Sequence, residues 1–181
     1  WACILPLIPT FAAIHQGDVV WEVCGTYQKQ SYRNRSLIAT DRGALTLTIP
    51  IAHRNHRQAF QEVQIDPDES WQRTHWRGIQ TAYRSAPYFE FYEDRLVRLF
   101  EESFTYLIDV NFKSMEILCQ CAKLEIPQSK TDVYVKELTP DSDKRMWASS
   151  KYRPSDSPKP YGQVFSDRHG FIQGLSFLDL L

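Results

Sequence analysis

The chain has 181 residues, 43% of them apolar and 24% charged, and a formal net charge of −1. That is the composition of a soluble globular protein able to bury a core, and it gives no overall field toward nucleic acid or an anionic membrane. No apolar run approaches the ~18 residues of a membrane-spanning helix, so no membrane span is expected.

In chain order, Ala2 to Leu7 is short and apolar and reads as a first strand. Thr10 to Gln16 reads as one or two helical turns stopped by Gly17. Val19 to Cys24 is nearly unbroken in apolar residues, as a strand covered on both faces would be. Tyr27 to Arg35, YQKQSYRNR, then holds three cations, two tyrosines, three amides and a serine, with no aliphatic side chain. Such a segment is expected outside the core, because each buried charge would need a partner. Ser36–Ala39 and Ala44–Ile51 flank Thr40-Asp41-Arg42-Gly43 and predict a β-hairpin, with Gly43 supplying a positive φ. Val63 to Ile65 reads as one more short strand.

The pattern then turns helical. Asp66 to Ser70 is a helix-start cluster, after which Trp71, His75, Ile79 and Tyr83 recur every four residues on one face. Arg73, Arg77 and Arg84 form a separate basic stripe, and Ala86-Pro87 ends the helix. Phe89 to Leu124 keeps helical spacing, as one long helix or two joined near 109–111. The segment 138–160, with Pro140, Pro154, Pro158 and Pro160, predicts a long loop. Tyr161 to Phe165 reads as a short strand and Gly170 to Leu181 as a closing apolar helix.

Charge is segregated along the chain. Between Lys29 and Arg57 there are six cations (Lys29, Arg33, Arg35, Arg42, Arg54, Arg57) against Asp41 alone, a net of +5. That points to an anionic ligand. Arg33 and Arg35 can each fork onto a carboxylate or phosphate, and Lys29 adds a point charge. If the segment is extended, Arg33 and Arg35 share a face while Asn34 looks the other way. Tyr27, Lys29, Arg33, Asn34 and Arg35 form the expected substrate-binding set, with Tyr161 and Gln163 adding stacking and amide bonds from a second segment.

His75 is the candidate for proton transfer, being the histidine on a periodic helical face; the alternative is a hydrogen-bonded core residue. His53 and His56 lack ligand spacing, so no metal is expected, and no other cofactor is implied. The chain has no G-x-G-x-x-G, no G-x-x-x-x-G-K-[ST] and no G-x-S-x-G. Cys24, at a strand end beside the basic segment, is a conceivable nucleophile, although a buried thiol is the plainer reading. The four cysteines, Cys3, Cys24, Cys119 and Cys121, form no disulfide framework and suggest reduced thiols in a cytoplasmic protein. The start lacks a signal-peptide pattern, and a chain opening on Trp1 is expected to have its true start upstream.

YQKQSYRNR (27–35), ALTLTIPI (44–51), WQRTHWRGIQTAYRSAPYFEFYED (71–94), PYGQVF (160–165) and GFIQGLSFLDLL (170–181) together resemble the WbqC-like family. That resemblance implies a bacterial protein associated with O-antigen and other surface polysaccharides. Two tyrosines and a proline usual near the family's start are replaced here, at Ile4, Leu7 and Thr10, and Gln173-Gly174 stands where Pro-Asn is usual.

The expectation is a single mixed α+β domain over 1–181. Residues 1–66 would be mainly β in a small mixed sheet, 68–126 helical, 138–160 a loop, and 161–181 a returning strand and helix. Its expected function is a polysaccharide-biosynthesis transferase moving an acyl or aminoacyl group onto a nucleotide-activated amino sugar. The partner would be an anionic small molecule such as that nucleotide sugar. The alternative is a non-catalytic protein that binds RNA or a pathway partner through 29–57.

Overall fold

The computed structural model describes residues 1–17, 19–52, 57–67, 70–152 and 160–181. His53, Arg54 and His56 lie outside the described residues, as do Asp68 and Glu69 of the helix-start cluster and 153–159 of the long loop.

Helix α1 (Ile8–Gln16) starts with Pro9 in its first turn, where a missing N–H costs nothing, and stops at Gly17 with φ 90°. Phe11 on α1 stacks on Phe177 with centroids 3.7 Å apart, clamping the two ends of the chain together. The hairpin forms as read: β1 (Arg35–Thr40) pairs antiparallel with β2 (Gly43–Thr48), with Thr40 opposite Gly43. Asp41-Arg42 make the turn, and Gly43 takes φ 108°.

Helix α2 (Trp71–Tyr83) buries Trp71, His75, Ile79 and Tyr83, the four-residue repeat of the sequence, and packs across β1. Helices α3 (Phe89–Leu96), α4 (Arg98–Glu101) and α5 (Leu107–Cys121) follow. Helix α5 is the central one: Leu107, Val110, Asn111, Ser114, Met115 and Leu118 are all fully buried. Each large apolar side chain buried there contributes roughly 1.5–3 kcal/mol. One core cluster runs from Ala2 to Leu178, so both halves of the chain share it. The last helix, α6 (Ser166–His169), is a single turn.

The architecture is mixed α and β, as the sequence predicts, but the β part is smaller. Among the described residues the regular sheet is the antiparallel hairpin alone, supplemented by isolated bridges. Residues 2–7 make no strand beyond one bridge from Leu7 to Ser176. Val19–Cys24 pairs only at Trp21, in parallel with Lys130, and Val20 is 57% exposed. The reason is Glu22. Its Oε1 accepts the N–H groups of Cys24 at 2.7 Å and Gly25 at 3.2 Å, which bends the chain before a ladder can extend.

The helical break falls at 102–106, not at 109–111. Glu102 is extended, and Thr105 and Leu107 exchange backbone hydrogen bonds with Ile65 and Val63. Pairing with that short segment pulls the chain out of the helix. Tyr161–Phe165 is not a strand, because the Gln163 side chain does the pairing: Nε2 donates to Ile172 O at 2.9 Å and Oε1 accepts Ile172 N at 2.8 Å. The closing helix shrinks to a 3-10 turn, Phe177–Leu180, after positive-φ breaks at Gly170 and Gly174.

Candidate functional site

The site is hung from helix α5. Asn111 Nδ2 donates to the carbonyls of Ala2 at 3.0 Å and Arg33 at 2.8 Å. Ser114 Oγ, one turn along, accepts the Leu5 N–H at 2.9 Å. Two polar side chains on an otherwise apolar face thus fix the N-terminal segment and the basic segment against each other.

That arrangement corrects the expectation that 27–35 lies outside the core. Ser31, Tyr32, Arg33 and Asn34 are all buried, and Arg33 is only 3% exposed. Aromatic faces offset the cost of its charge: the Arg33 guanidinium lies 3.9 Å from the Trp1 ring centroid and 5.8 Å from that of Phe60. Nη1 donates to Ser31 Oγ at 3.3 Å, while Nε has no hydrogen-bond partner. No ion pair among the described residues includes Arg33. Burial therefore pulls its pKa down, partly countered by groups including Cys3, Tyr27, Tyr134 and Glu22.

Arg35 is half-buried, and its Nε is also without a partner. The Tyr27 phenol is pushed up to about 12 by burial, against the opposing pull of Arg33 and Arg35. Tyr27, Arg33 and Arg35 are thus brought into one electrostatic neighbourhood. Lys29 is not: it stands exposed in a turn next to Gln30, whose φ is 58°. Asn34 faces elsewhere, donating to Ile49 O at 3.1 Å.

Next to this cluster is a cavity of about 550 Å³ walled by Trp1, Cys3, Trp21, Glu22, Tyr32 and Trp147. Glu22 is buried, and besides the two N–H groups its Oε1 accepts the Thr131 hydroxyl at 3.1 Å. The far wall is the segment 135–148, which carries Asp143, Lys144 and Arg145. Arg145 forks onto Asp143, with Nε to Oδ1 at 2.8 Å and Nη2 to Oδ2 at 2.6 Å. It also donates to the carbonyls of Val135 and Lys136 and lies 5.1 Å from the Tyr134 ring centroid. The fork holds the Asp143 carboxyl below its ordinary value and the Arg145 guanidinium above its own.

Tyr161 and Gln163 come together, but at a second cavity of about 320 Å³ that Tyr161 lines. Gln163 Nε2 donates to Tyr161 Oη at 3.1 Å, and Tyr161 Oη donates to Asp179 Oδ2 at 3.0 Å. His75 lines neither cavity. It is 3% exposed, edge-on to Trp71 and Phe100, with Nε2 at 3.0 Å from Thr48 O. Burial lowers its pKa to about 4, so the ring is neutral near pH 7. Cys24 is half-buried, and its thiol donates to Thr131 O at 3.2 Å. Arg73 and Arg77 are exposed on α2.

Sequence reasoning missed Trp1, Glu22, Asn111, Arg145 and Asp179. Two of them left a signal. Glu22 is the lone acid in Val19–Cys24, and Asn111 is a polar residue in phase with the buried stripe of α5. Among the described residues no cluster of three or more His, Cys, Asp or Glu could hold a metal ion, and no helix is long and apolar enough to cross a membrane.

The chain belongs to the WbqC-like protein family, whose model matches residues 2–151. It is similar to the uncharacterized protein Rv1507c of Mycobacterium tuberculosis (strain ATCC 25618 / H37Rv), 30% identical over 95 residues. That match covers 51% of this chain and 41% of the relative, so the chain spans less than half the relative's length. No solved structure matches.

Proposed function

We propose that the larger cavity binds a nucleotide-activated sugar for surface-polysaccharide assembly, with its phosphates held by the charge of Arg33 and Arg35, which do not line the cavity but lie behind its Trp1 and Tyr32 wall. The observation that carries this reading is Arg33, a buried guanidinium with a free Nε and no carboxylate paired to it. A phosphate in the cavity would supply the missing charge, and a direct fork onto it would require Arg33 to be uncovered toward the cavity. The aromatic walls Trp1, Trp21, Tyr32 and Trp147 suit the faces of a base and a sugar ring. Resemblance to a family associated with O-antigen and other surface polysaccharides supports the same class of ligand.

The finer reading is acyl or aminoacyl transfer onto the amine of that sugar. His75 was the expected general base, but it lines neither cavity. Three carboxylates line the larger cavity: Asp143 is forked to Arg145, Asp141 is exposed, and Glu22 is buried without an ion pair among the described residues, so we assign the base role to Glu22 and a packing role to His75.

The test is ligand-detected binding of UDP-, dTDP- and GDP-sugars, acyl-CoA and bulk tRNA at low and moderate salt, with Arg33→Met as control. Salt-tolerant binding of one nucleotide sugar, lost in the variant, is expected. Binding of tRNA alone, falling steeply with salt, would overturn the small-molecule reading in favour of RNA. Among the described residues of the +5 segment Arg33 is inside and Arg35 half-buried, which leaves Lys29, Arg42 and Arg57 as the exposed cations there. With donor and acceptor known, Glu22→Gln should keep binding and lose turnover; full turnover would remove Glu22 from the mechanism.

A further inference from the structure

We propose that the smaller cavity is a second ligand site that takes an organic ammonium ion, a primary amine on an aromatic or branched aliphatic body, with Asp179 as its counter-ion. The cavity is about 320 Å³, and Asp179 is the single charged side chain lining it. The rest of the wall is aromatic and aliphatic: Tyr88, Phe89 and Tyr92 around α3, with Leu96, Val164 and Leu178.

Asp179 is 7% exposed, and no ion pair among the described residues includes it. The groups that hydrogen-bond it are neutral, Tyr83 Oη to Oδ1 at 2.9 Å and Tyr161 Oη to Oδ2 at 3.0 Å, with the Gln163 amide also acting on it. Each carboxylate oxygen can accept two hydrogen bonds, so one lone pair on each remains. His169 acts electrostatically on Asp179, but its ring nitrogens lie 3.0 Å from the carbonyls of Gly170 and Thr40. The tyrosines thus orient the carboxylate without neutralising it.

A carboxylate used only to staple Tyr83 to Tyr161 carries a desolvation cost that its hydrogen bonds and His169 offset only in part, with burial still the largest influence on it. An ammonium group offsets it, and the surrounding rings present the negative faces that attract a cation. The apolar remainder of the cavity then accepts the body of the amine. Tyr88, 64% exposed, stands at the rim. This site is independent of the nucleotide-sugar reading, which concerns the other cavity.

The test is calorimetric titration of the full chain with phenethylammonium and with its neutral analogue 2-phenylethanol. Saturable binding of the amine, about tenfold or more tighter than the alcohol, is expected from a charge-assisted contact. Asp179→Asn should erase that preference. Because Asp179 also joins two segments, a second variant guards against misfolding. A Cβ on Gly162, which lines the cavity, meets nothing within 4 Å, so Gly162→Leu should block the amine while leaving the carboxylate untouched. Equal affinity for amine and alcohol, no binding of either, or binding indifferent to both substitutions would overturn the proposal.

Discussion

The guanidinium carbon of Arg33 lies over the Trp1 ring, 3.9 Å from its centroid, in the interior of the protein. Stacking replaces the ion pair that a buried arginine ordinarily needs. Gly25 makes room for this contact: a Cβ there would strike the Trp1 ring and come within 2.9 Å of Tyr134.

Arg33→Met removes the charge and keeps much of the volume. Because the charge has no carboxylate partner, global stability should stay within about 1 kcal/mol of the parent or rise. Anion binding should fall by about tenfold or more. Urea denaturation beside nucleotide-sugar titration separates the two effects, and a large stability loss with binding intact would contradict this account. Arg33→Lys should also bind poorly, since an ammonium cannot reproduce the fork.

Asn111→Ala leaves two buried carbonyls, those of Ala2 and Arg33, without their donor. The expected cost is about 2–4 kcal/mol, from two lost hydrogen bonds to fully buried groups. Asn111→Asp should be worse, because it points a carboxylate at two carbonyl oxygens. Chemical denaturation of both variants measures the order.

His75 makes stability depend on pH in a definite direction. Its folded pKa of about 4 lies below the ordinary 6.5, so the unfolded chain binds the extra proton first. Stability is therefore full above pH 6.5 and falls as pH drops from there toward 4, by an amount on the order of 3 kcal/mol. His75→Gln, which can still donate to Thr48 O, should flatten that limb. Denaturant midpoints between pH 4 and 8 for both proteins give the comparison.

Thiol labelling in the native state should find Cys24 first. It is half-buried, whereas Cys3, Cys119 and Cys121 are buried, and burial pushes the Cys119 thiol up to about 11. Timed alkylation with peptide mapping should show Cys24 modified well ahead of the other three.

The elements that sequence foretold are those decided locally. The hairpin follows from alternation and from the φ that Gly43 supplies; α2 follows from a four-residue repeat of large side chains. Val19–Cys24 was apolar enough for a strand, but a strand also needs a neighbour along its length. Local sequence does not reveal that only Lys130 would come alongside. The site was half legible for the same reason. The period of two expected for an extended segment does not apply, because 31–34 closes a turn with Asn34 N–H donating to Ser31 O at 3.2 Å, yet Arg33 and Arg35 both act on Tyr27. The burial of Arg33 depends on Trp1, Phe60 and Asn111, which lie far away along the chain and meet it only through the core. Desolvation argued for an exposed segment, and it went wrong where aromatic faces stood in for a carboxylate.

Arg145 carries a last consequence. All its hydrogen bonds end within residues 135–143, on two carbonyls and one carboxylate of its own wall. A wall cross-tied in this way swings as a plate rather than fluttering as a string. Most of its conformational freedom is gone before a ligand arrives, so docking against it should exact little further ordering entropy.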